Sequence, residues 1–342
     1  MRTVDLVGLT QALVDIDSTT GAEAMLCRWL SGYLRELGFD VVEQPVDGAR
    51  FNIVATVGPP EVVLSTHVDC VPPYFPCRLD GDRIYGRGAC DAKGILAAQI
   101  AAVEQLRRQG ESRVGLLFVV GEERGSDGAR AANAATIGSR FLVDGEPTDG
   151  RLASATRGML RVRLHAAGRA AHSSSPELGE SAIDRLVDAI VQLRGIPLPR
   201  DPSMGPTTYT IGLISGGVAP NVVSPSAVAE VMFRTVSDAG HVRRAIGALE
   251  AHVRIEPVHE VPLARMMTLP GFESAVFPFT TDVPFLANWG QPLLYGPGSI
   301  HAAHTDDESI TVAELSAAVD GYVRIAAHLL SRARAADVSE PR

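Results

Sequence analysis

Four short apolar runs in this chain each lead into a loop carrying acid or histidine. Val62–Thr66 runs into His67-Val68-Asp69, Val114–Val120 into Gly121-Glu122-Glu123, Phe141–Val143 into Asp144-Gly145-Glu146, and Pro292–Tyr295 into a segment holding His301 and His304. The first two runs are largely continuous in apolar residues, the pattern of strands buried on both faces of a sheet. Between them, Ala92–Gln109 carries Ile95, Leu96, Ile100, Val103 and Leu106 at helical spacing. Strand, helix, strand alternation predicts an α/β fold, a twisted and mostly parallel sheet with helices on both faces.

Two amphipathic helices precede the sheet, Asp5–Val14 with Leu6, Leu9 and Leu13, and Ala22–Leu37 with Leu26, Leu30 and Leu34 before a stop at Gly38. Phe39–Glu43 and Asn52–Val57 read as strands. The middle of the chain has another texture. Leu160–Ala166, Thr208–Ile214 and Val228–Arg234 read as strands, and Ser181–Leu193 and His241–Val253 as helices, a compact α+β unit. The α/β character then returns with a helix over Asp282–Trp289, a strand over Pro292–Tyr295 and a last helix over Val312–Leu330. This order predicts a smaller domain, 158–261, inserted into a larger one made of 1–157 and 262–342, with a frayed tail from Ser331 to Arg342.

Composition narrows the partners. At 342 residues with 46% hydrophobic and 21% charged residues, the chain is long enough for two domains and ordinary for a folded protein. A net charge of -9 argues against nucleic acid, whose binding relies on concentrated Lys and Arg. No apolar run of signal-peptide or membrane-spanning type is present, so the expectation is a cytoplasmic protein with no membrane partner. Cys27, Cys70, Cys77 and Cys90 form no C-x-x-C pair and are read as free thiols.

The acids and imidazoles carry the chemistry. With one residue between them, His67 and Asp69 face the same side of an extended chain, so the carboxylate can accept the second imidazole N–H. Gly81, Gly86, Gly88 and Gly94 surround Asp91 and let the backbone approach a ligand closely, although Asp91 also suits a helix N-cap. Two adjacent glutamates after an apolar strand are costly unless cations or hydrogen bonds compensate them. Their side chains diverge, so one of Glu122 and Glu123 can bind metal while the other faces a reacting water; a solvated turn paired to Arg124 is the plainer alternative. Two imidazoles, an acid able to bridge and two further carboxylates make the ligand set of a pair of zinc-like cations, with Glu122 left as a base. Within this set His301 competes with His304, and Asp144 with Glu146.

Taken together and in order from about Leu64 to Glu308, these segments resemble the zinc-dependent amidohydrolase and peptidase family that includes acetylornithine deacetylase and succinyl-diaminopimelate desuccinylase. The resemblance implies two divalent cations, zinc first and cobalt or manganese as alternatives. His67, Asp91 and Glu146 would hold one, and Asp91, Glu123 and His304 the other, with Asp69 orienting His67 and Glu122 as general base. His304 is preferred because it stands four residues before Glu308, and Glu146 because of its Gly-Glu-Pro context. A cis bond between Asp91 and Ala92 is also implied. Gly168–Ser174 resembles the family's lid segment, making His172 an oxyanion-stabilising residue, and Asn221 and Arg234 match residues that bind a substrate carboxylate. The inserted domain would then be a lid and dimerisation domain, and the protein a homodimer whose His172 reaches the partner's site.

The reaction implied is hydrolysis of an amide. Deacylation of an N-acyl amino acid, of the acetylated ornithine, lysine or citrulline type used in biosynthesis, is the preferred expectation from the sequence. A dipeptidase or exopeptidase acting on short peptides shares the site and stands second. A non-catalytic metabolite-binding relative stands third.

Overall fold

The structure, a computed structural model, describes residues 4–339 and side chains as far as Arg334. In chain order come α1 (Leu6–Val14), α2 (Ala24–Glu36), β1 (Asp40–Asp47), β2 (Arg50–Thr56), β3 (Val62–His67), α3 (Lys93–Arg108), β4 (Val114–Val119), α4 (Asp127–Ala134) and β5 (Phe141–Asp144). The chain continues through β6 (Gly158–Ala167), α5 (Ala182–Gly195), β7 (Thr208–Gly216), β8 (Ser226–Thr235), α6 (Ala239–Ile246) and β9 (Arg254–Val261). It ends with β10 (Gln291–Leu294) and α7 (Val312–Ser339). These elements form two compact units: one takes in the chain up to Ser154, Met266–Ala275 and the chain from Thr281 onward, the other Ala155–Arg265 and Val276–Thr280.

The first unit is built on a six-stranded sheet in the order β1-β2-β4-β3-β5-β10. Pairing is parallel at β4–β3, β3–β5 and β5–β10, and antiparallel at β1–β2 and β2–β4, so the sheet is mostly parallel with an antiparallel edge. Every residue of β3 and β4 is buried. Strand periodicity divides them between two cores. Val62, Leu64, Leu116 and Phe118 pack with residues of α1, α2, α3 and α7, while Val63, Leu117 and Val119 pack on the other face with Ala129 and Ala132 of α4 and with Trp289. Helices thus cover both faces, which explains why these strands lack the polar alternation of a half-exposed sheet. In α2, Leu26, Leu30 and Leu34 form the buried stripe. The helix stops at Gly38, whose φ of +85° lets its N–H reach Arg35 O while Phe39 N–H reaches Leu34 O, closing the last turn.

The second unit carries an antiparallel sheet in the order β7-β8-β6-β9. Alternate residues of β6 and β8 are buried against α5 and α6, among them Leu160, Val162, Leu164, Val231 and Phe233. The opposite face is polar and cross-linked by Arg163 with Glu230 at 3.0 Å and His165 with Glu256 at 3.0 Å. β7 lies at the sheet edge with Leu213 and Ile214 more than 60% exposed. Ile183, Val187 and Val191, four residues apart on α5, are exposed as well.

Three expectations need correction. Asp282–Trp289 is two short 3₁₀ turns, Val283–Phe285 and Ala287–Trp289, where Pro284 fits a first turn and a segment this short gains little from helical propagation. The last helix continues past Leu330 to Ser339, and residues 340–342 of the supposed frayed tail lie outside the described residues. β9 was not expected at all, because Pro257 and its alternating charges mask a strand that Pro can enter only at a sheet edge. Among the described residues no helix is long and apolar enough to cross a membrane.

Candidate metal centre

Parallel β3, β4 and β5 place three acidic loops side by side, at the strand ends where open α/β sheets gather ligands. His67 is the last residue of β3 and is 2% exposed. Its Nδ1 lies 2.9 Å from the backbone carbonyl of Asp69 and its Nε2 lies 3.0 Å from Asp91 Oδ1. Burial opposes a charge on this ring, yet Asp69 and Asp91 hold it well above the ordinary imidazole range, so Nε2–H donates to Asp91 while the Nδ1 bond to the carbonyl fixes the ring's aim at the acidic cluster. The Asp69 carboxylate is 3.5 Å from Nδ1, so the backbone and not the carboxylate is the nearer orienting group.

What the Asp69 carboxylate does instead is hold the next loop. Oδ1 accepts the backbone N–H of Glu122 at 3.1 Å, and Oδ2 accepts that of Glu123 at 3.2 Å and the hydroxyl of Thr20 at 2.8 Å. Glu122–Arg124 is a single 3₁₀ turn entered through Gly121 at φ +78°, where a Cβ would collide with the Asp127 carboxylate. The two glutamates are therefore presented by a turn tethered from β3.

Asp91 is buried just ahead of α3, and its peptide bond to Ala92 is cis. It is not the N-cap of α3, a position taken by Ala92 without a side-chain cap. Oδ1 faces His67 and Oδ2 faces His304 Nε2 at 3.3 Å; that same Nε2 lies 2.8 Å from Glu123 Oε1. His304, at φ +64°, sits in a turn from the loop after β10 and is 45% exposed at the side chain. His301 is exposed and is not among the cluster's ion pairs. His67, Asp91 and Glu123 offer donor atoms that all lie within 4.8 Å of one another.

Glu146, two residues beyond β5, is buried and interacts electrostatically with Asp91 and Glu122. Burial, then those two acids, pushes its carboxyl well above the usual range. Burial does the same to Glu122, reinforced by Asp282, Glu123 and Asp69, and raises Glu123. Burial opposes ionisation of Asp91, yet hydrogen bonds from His304 and His67 hold it below the usual range. Asp91 and Glu123 in turn lift His304 to about 10. The cluster holds more buried carboxylates than its two imidazoles can neutralise, an excess that divalent cations relieve. The donor set, with His67, Asp91 and Glu123 close together, thus fits a divalent-cation site with nitrogen and oxygen ligands.

Three supporting residues escaped the sequence reading. Thr20 comes from a loop with no motif. Asp282 is buried, and that burial, only partly offset by Ser126 and His67, lifts its carboxyl to about 7. Glu308 served only as a spacing marker for His304, yet it is fully buried beside Asp91. Asp144 is likewise buried, and burial with Asp282 raises it to about 8.

His172, Asn221 and Arg234 belong to the second unit. His172 is exposed, forms a β-bridge with Val222, and accepts the Ser174 N–H at Nδ1 over 3.2 Å, which leaves the proton of the neutral ring on Nε2. Ser173 N–H reaches the Asn221 carbonyl at 2.9 Å, so His172 and Asn221 share one corner. Arg234, on β8, lines a cavity of about 350 Å³ with Arg161, Tyr209, Glu230 and Met232.

An α/β sheet that gathers acids and imidazoles at its strand ends, in a chain that also carries a separate α+β unit, is the build of a metal-binding hydrolase. Residues 63–328 match Peptidase family M20/M25/M40, and the chain belongs to that family. A probable carboxypeptidase of Aspergillus clavatus is 37% identical over 378 residues, covering 96% of this chain and 84% of its own. A tripeptidase from Staphylococcus aureus shares the fold with a TM-score of 0.81 at 22% identity, covering 96% of this chain and 99% of that one. A dinuclear metal-binding M20 peptidase from Bacillus subtilis superposes with a TM-score of 0.71 at 14% identity, over 95% and 98% of the two chains.

Proposed function

We propose that this chain is a two-cation exopeptidase that cleaves short peptides carrying a free carboxylate. The observation that carries the chemistry is Asp91, whose two oxygens face two different imidazoles, His67 and His304. In this reading His67, Asp91 and Glu146 hold one cation and Asp91, Glu123 and His304 the other, zinc being the expected metal. Bound there, the cations supply Lewis acidity and make water a nucleophile near neutral pH. Glu122 receives the proton of the attacking water and passes it to the leaving amine. His172 is assigned to the oxyanion through its Nε2–H, in the partner's site of a dimer, and Asn221 and Arg234 to the substrate carboxylate. Burial alone depresses the pKa of Arg234, as suits a guanidinium reserved for an incoming anion.

The sequence by itself favoured an N-acyl-amino-acid deacylase. Family membership and a relative bearing a carboxypeptidase name support the peptide reading instead. The test is a panel of dipeptides, tripeptides, their C-terminal amides and N-acetyl amino acids with zinc or cobalt. Free-carboxylate peptides should be cleaved at least about 10-fold faster than the rest, a difference of about 1.4 kcal/mol in the barrier. Turnover confined to N-acetyl amino acids would return the deacylase reading to first place.

A further inference from the structure

Glu308 stands four residues after His304, immediately before the short strand Ser309–Thr311, which pairs with Arg83–Tyr85. Its oxygen Oε1 accepts three backbone N–H groups, from Gly88 at 3.0 Å, Cys90 at 3.2 Å and Asp91 at 3.0 Å. Its Oε2 accepts from Arg87 Nη1 at 2.6 Å. That guanidinium is also buried, donates to Pro73 O at 3.2 Å and lies over the Phe75 ring. The backbone joins in, Gly86 N–H donating to Glu308 O at 3.0 Å.

A buried ion pair meant only to stabilise the core needs Oε2 and Arg87. Oε1 has a different set of partners: the converging N–H groups of the irregular turn whose last residue is Asp91. Such bonds to an ionised acceptor are strong and directional. At its other end, Glu308 anchors the segment carrying His304, whose sequence distance from Asp91 is over 200 residues. One carboxylate therefore fixes both the aim of Asp91 and the place of His304.

We infer that Glu308 is the positioning residue of the metal centre, coupling the bridging acid to the histidine of the second cation. The inference rests on the two-cation reading. Glutamine at 308 keeps an acceptor oxygen but loses the charge that makes the three N–H bonds strong, and its amide must set N–H groups against either Arg87 or the turn. Glu308→Asp keeps the charge and shortens the reach.

The experiment strips the full-length protein of metal and titrates it with zinc by calorimetry and with cobalt by visible absorption. Melting is followed in parallel, and Ser139→Ala serves as a control because Ser139 donates to Trp289 O in a buried place away from these loops. The parent should take up two cations. Glu308→Gln should bind them about 10- to 100-fold more weakly, the range for losing a group that orients a ligand, and alter the cobalt spectrum. The control should keep the parent's affinity. If Glu308→Gln does not fold, Glu308→Asp decides between the same outcomes. Parent-like affinity and spectrum in the folded Glu308 variants overturn the inference and leave the two-cation reading standing. Equal weakening in the control overturns it as well, and a parent that binds no cation overturns both.

Discussion

Replacing Asp69 by Asn tests whether its carboxylate holds the Glu122–Arg124 turn, in place of the His67-orienting role that the sequence suggested. The carboxylate is 0% exposed and receives donors on both oxygens: Glu122 N–H on one, Glu123 N–H and Thr20 Oγ1 on the other. Asparagine has a single oxygen. Whichever way its amide turns, at least one backbone N–H of the Glu122–Arg124 turn faces an NH2 group and loses its acceptor. Leaving a buried donor unsatisfied costs about 1–3 kcal/mol. If that cost falls on the placement of Glu122, kcat drops about 5- to 150-fold, at about 1.4 kcal/mol for each factor of ten. His67 keeps its acceptor, because its Nδ1 is bound to the Asp69 carbonyl, which the substitution leaves in place. Affinity for the cation assigned to His67 should accordingly fall by less than about 10-fold, below the usual effect of disturbing a histidine ligand's partner, while any weakening should fall on the cation assigned to Glu123, whose N–H shares the Asp69 carboxylate. The assay is kcat at saturating zinc on the best peptide, with a zinc titration of the same samples. Parent-like kcat at saturation, combined with a large loss of affinity, would refute the division of labour.

Glu122→Gln should lower turnover by about 100-fold or more while keeping bound metal, since it removes a proton acceptor; metal analysis showing simultaneous loss of zinc would mean that Glu122 and Glu123 exchange roles. Mixing inactive Glu122→Gln and inactive His172→Ala chains should restore up to about half of a parent dimer's activity per heterodimer if His172 serves the partner's site, and no recovery in verified heterodimers would reject that. Removing metal should make stability fall with rising pH. Asp144 and Asp282, at about 8 and about 7, are acids raised above their ordinary 3.8, so the folded state holds their protons more tightly. Their contribution is complete below about pH 4 and lost through about pH 8. Melting of the metal-free protein at about pH 5 and pH 8 checks this, and a higher melting temperature at pH 8 contradicts it.

The sheet was legible because β3 and β4 are buried on both faces and read as unbroken apolar runs, with acids marking where each strand stops. His304 was legible through its spacing from Glu308, a spacing that has a physical meaning once Glu308 is seen to hold the Asp91 turn. Contacts made by backbone were not. No sequence pattern announces that Asp69 receives the N–H groups of a turn more than 50 residues away, or that His67 is served by a carbonyl. Asp282 was absorbed into a supposed helix because Val283, Leu286 and Trp289 fall at helical spacing; the buried faces of two 3₁₀ turns imitate that period over a few residues. β9 was lost for the reverse reason, since an edge strand, here buried only at Val261, tolerates the proline and charges that argue against it.

The pairing of β10 with β5 sets an order on the making of this protein. Leu294 lies opposite Asp144 in the parallel register, yet 149 residues separate them in the chain. As the chain emerges from a ribosome, β5 waits with an open edge until β10 has been made. The inserted unit shortens that wait in effect, because Ala264 pairs with Thr156 and brings the two ends of the insertion together. Folding it first replaces a long floppy loop by a short one, a saving of about 1 kcal/mol in closure entropy. An amino-terminal fragment ending before β10 would lack His304 and Glu308 and leave β5 uncapped. Chains truncated there are thereby expected to be inert and prone to stick to one another, so that hydrolytic activity arises only after β10 and the His304 loop have been made.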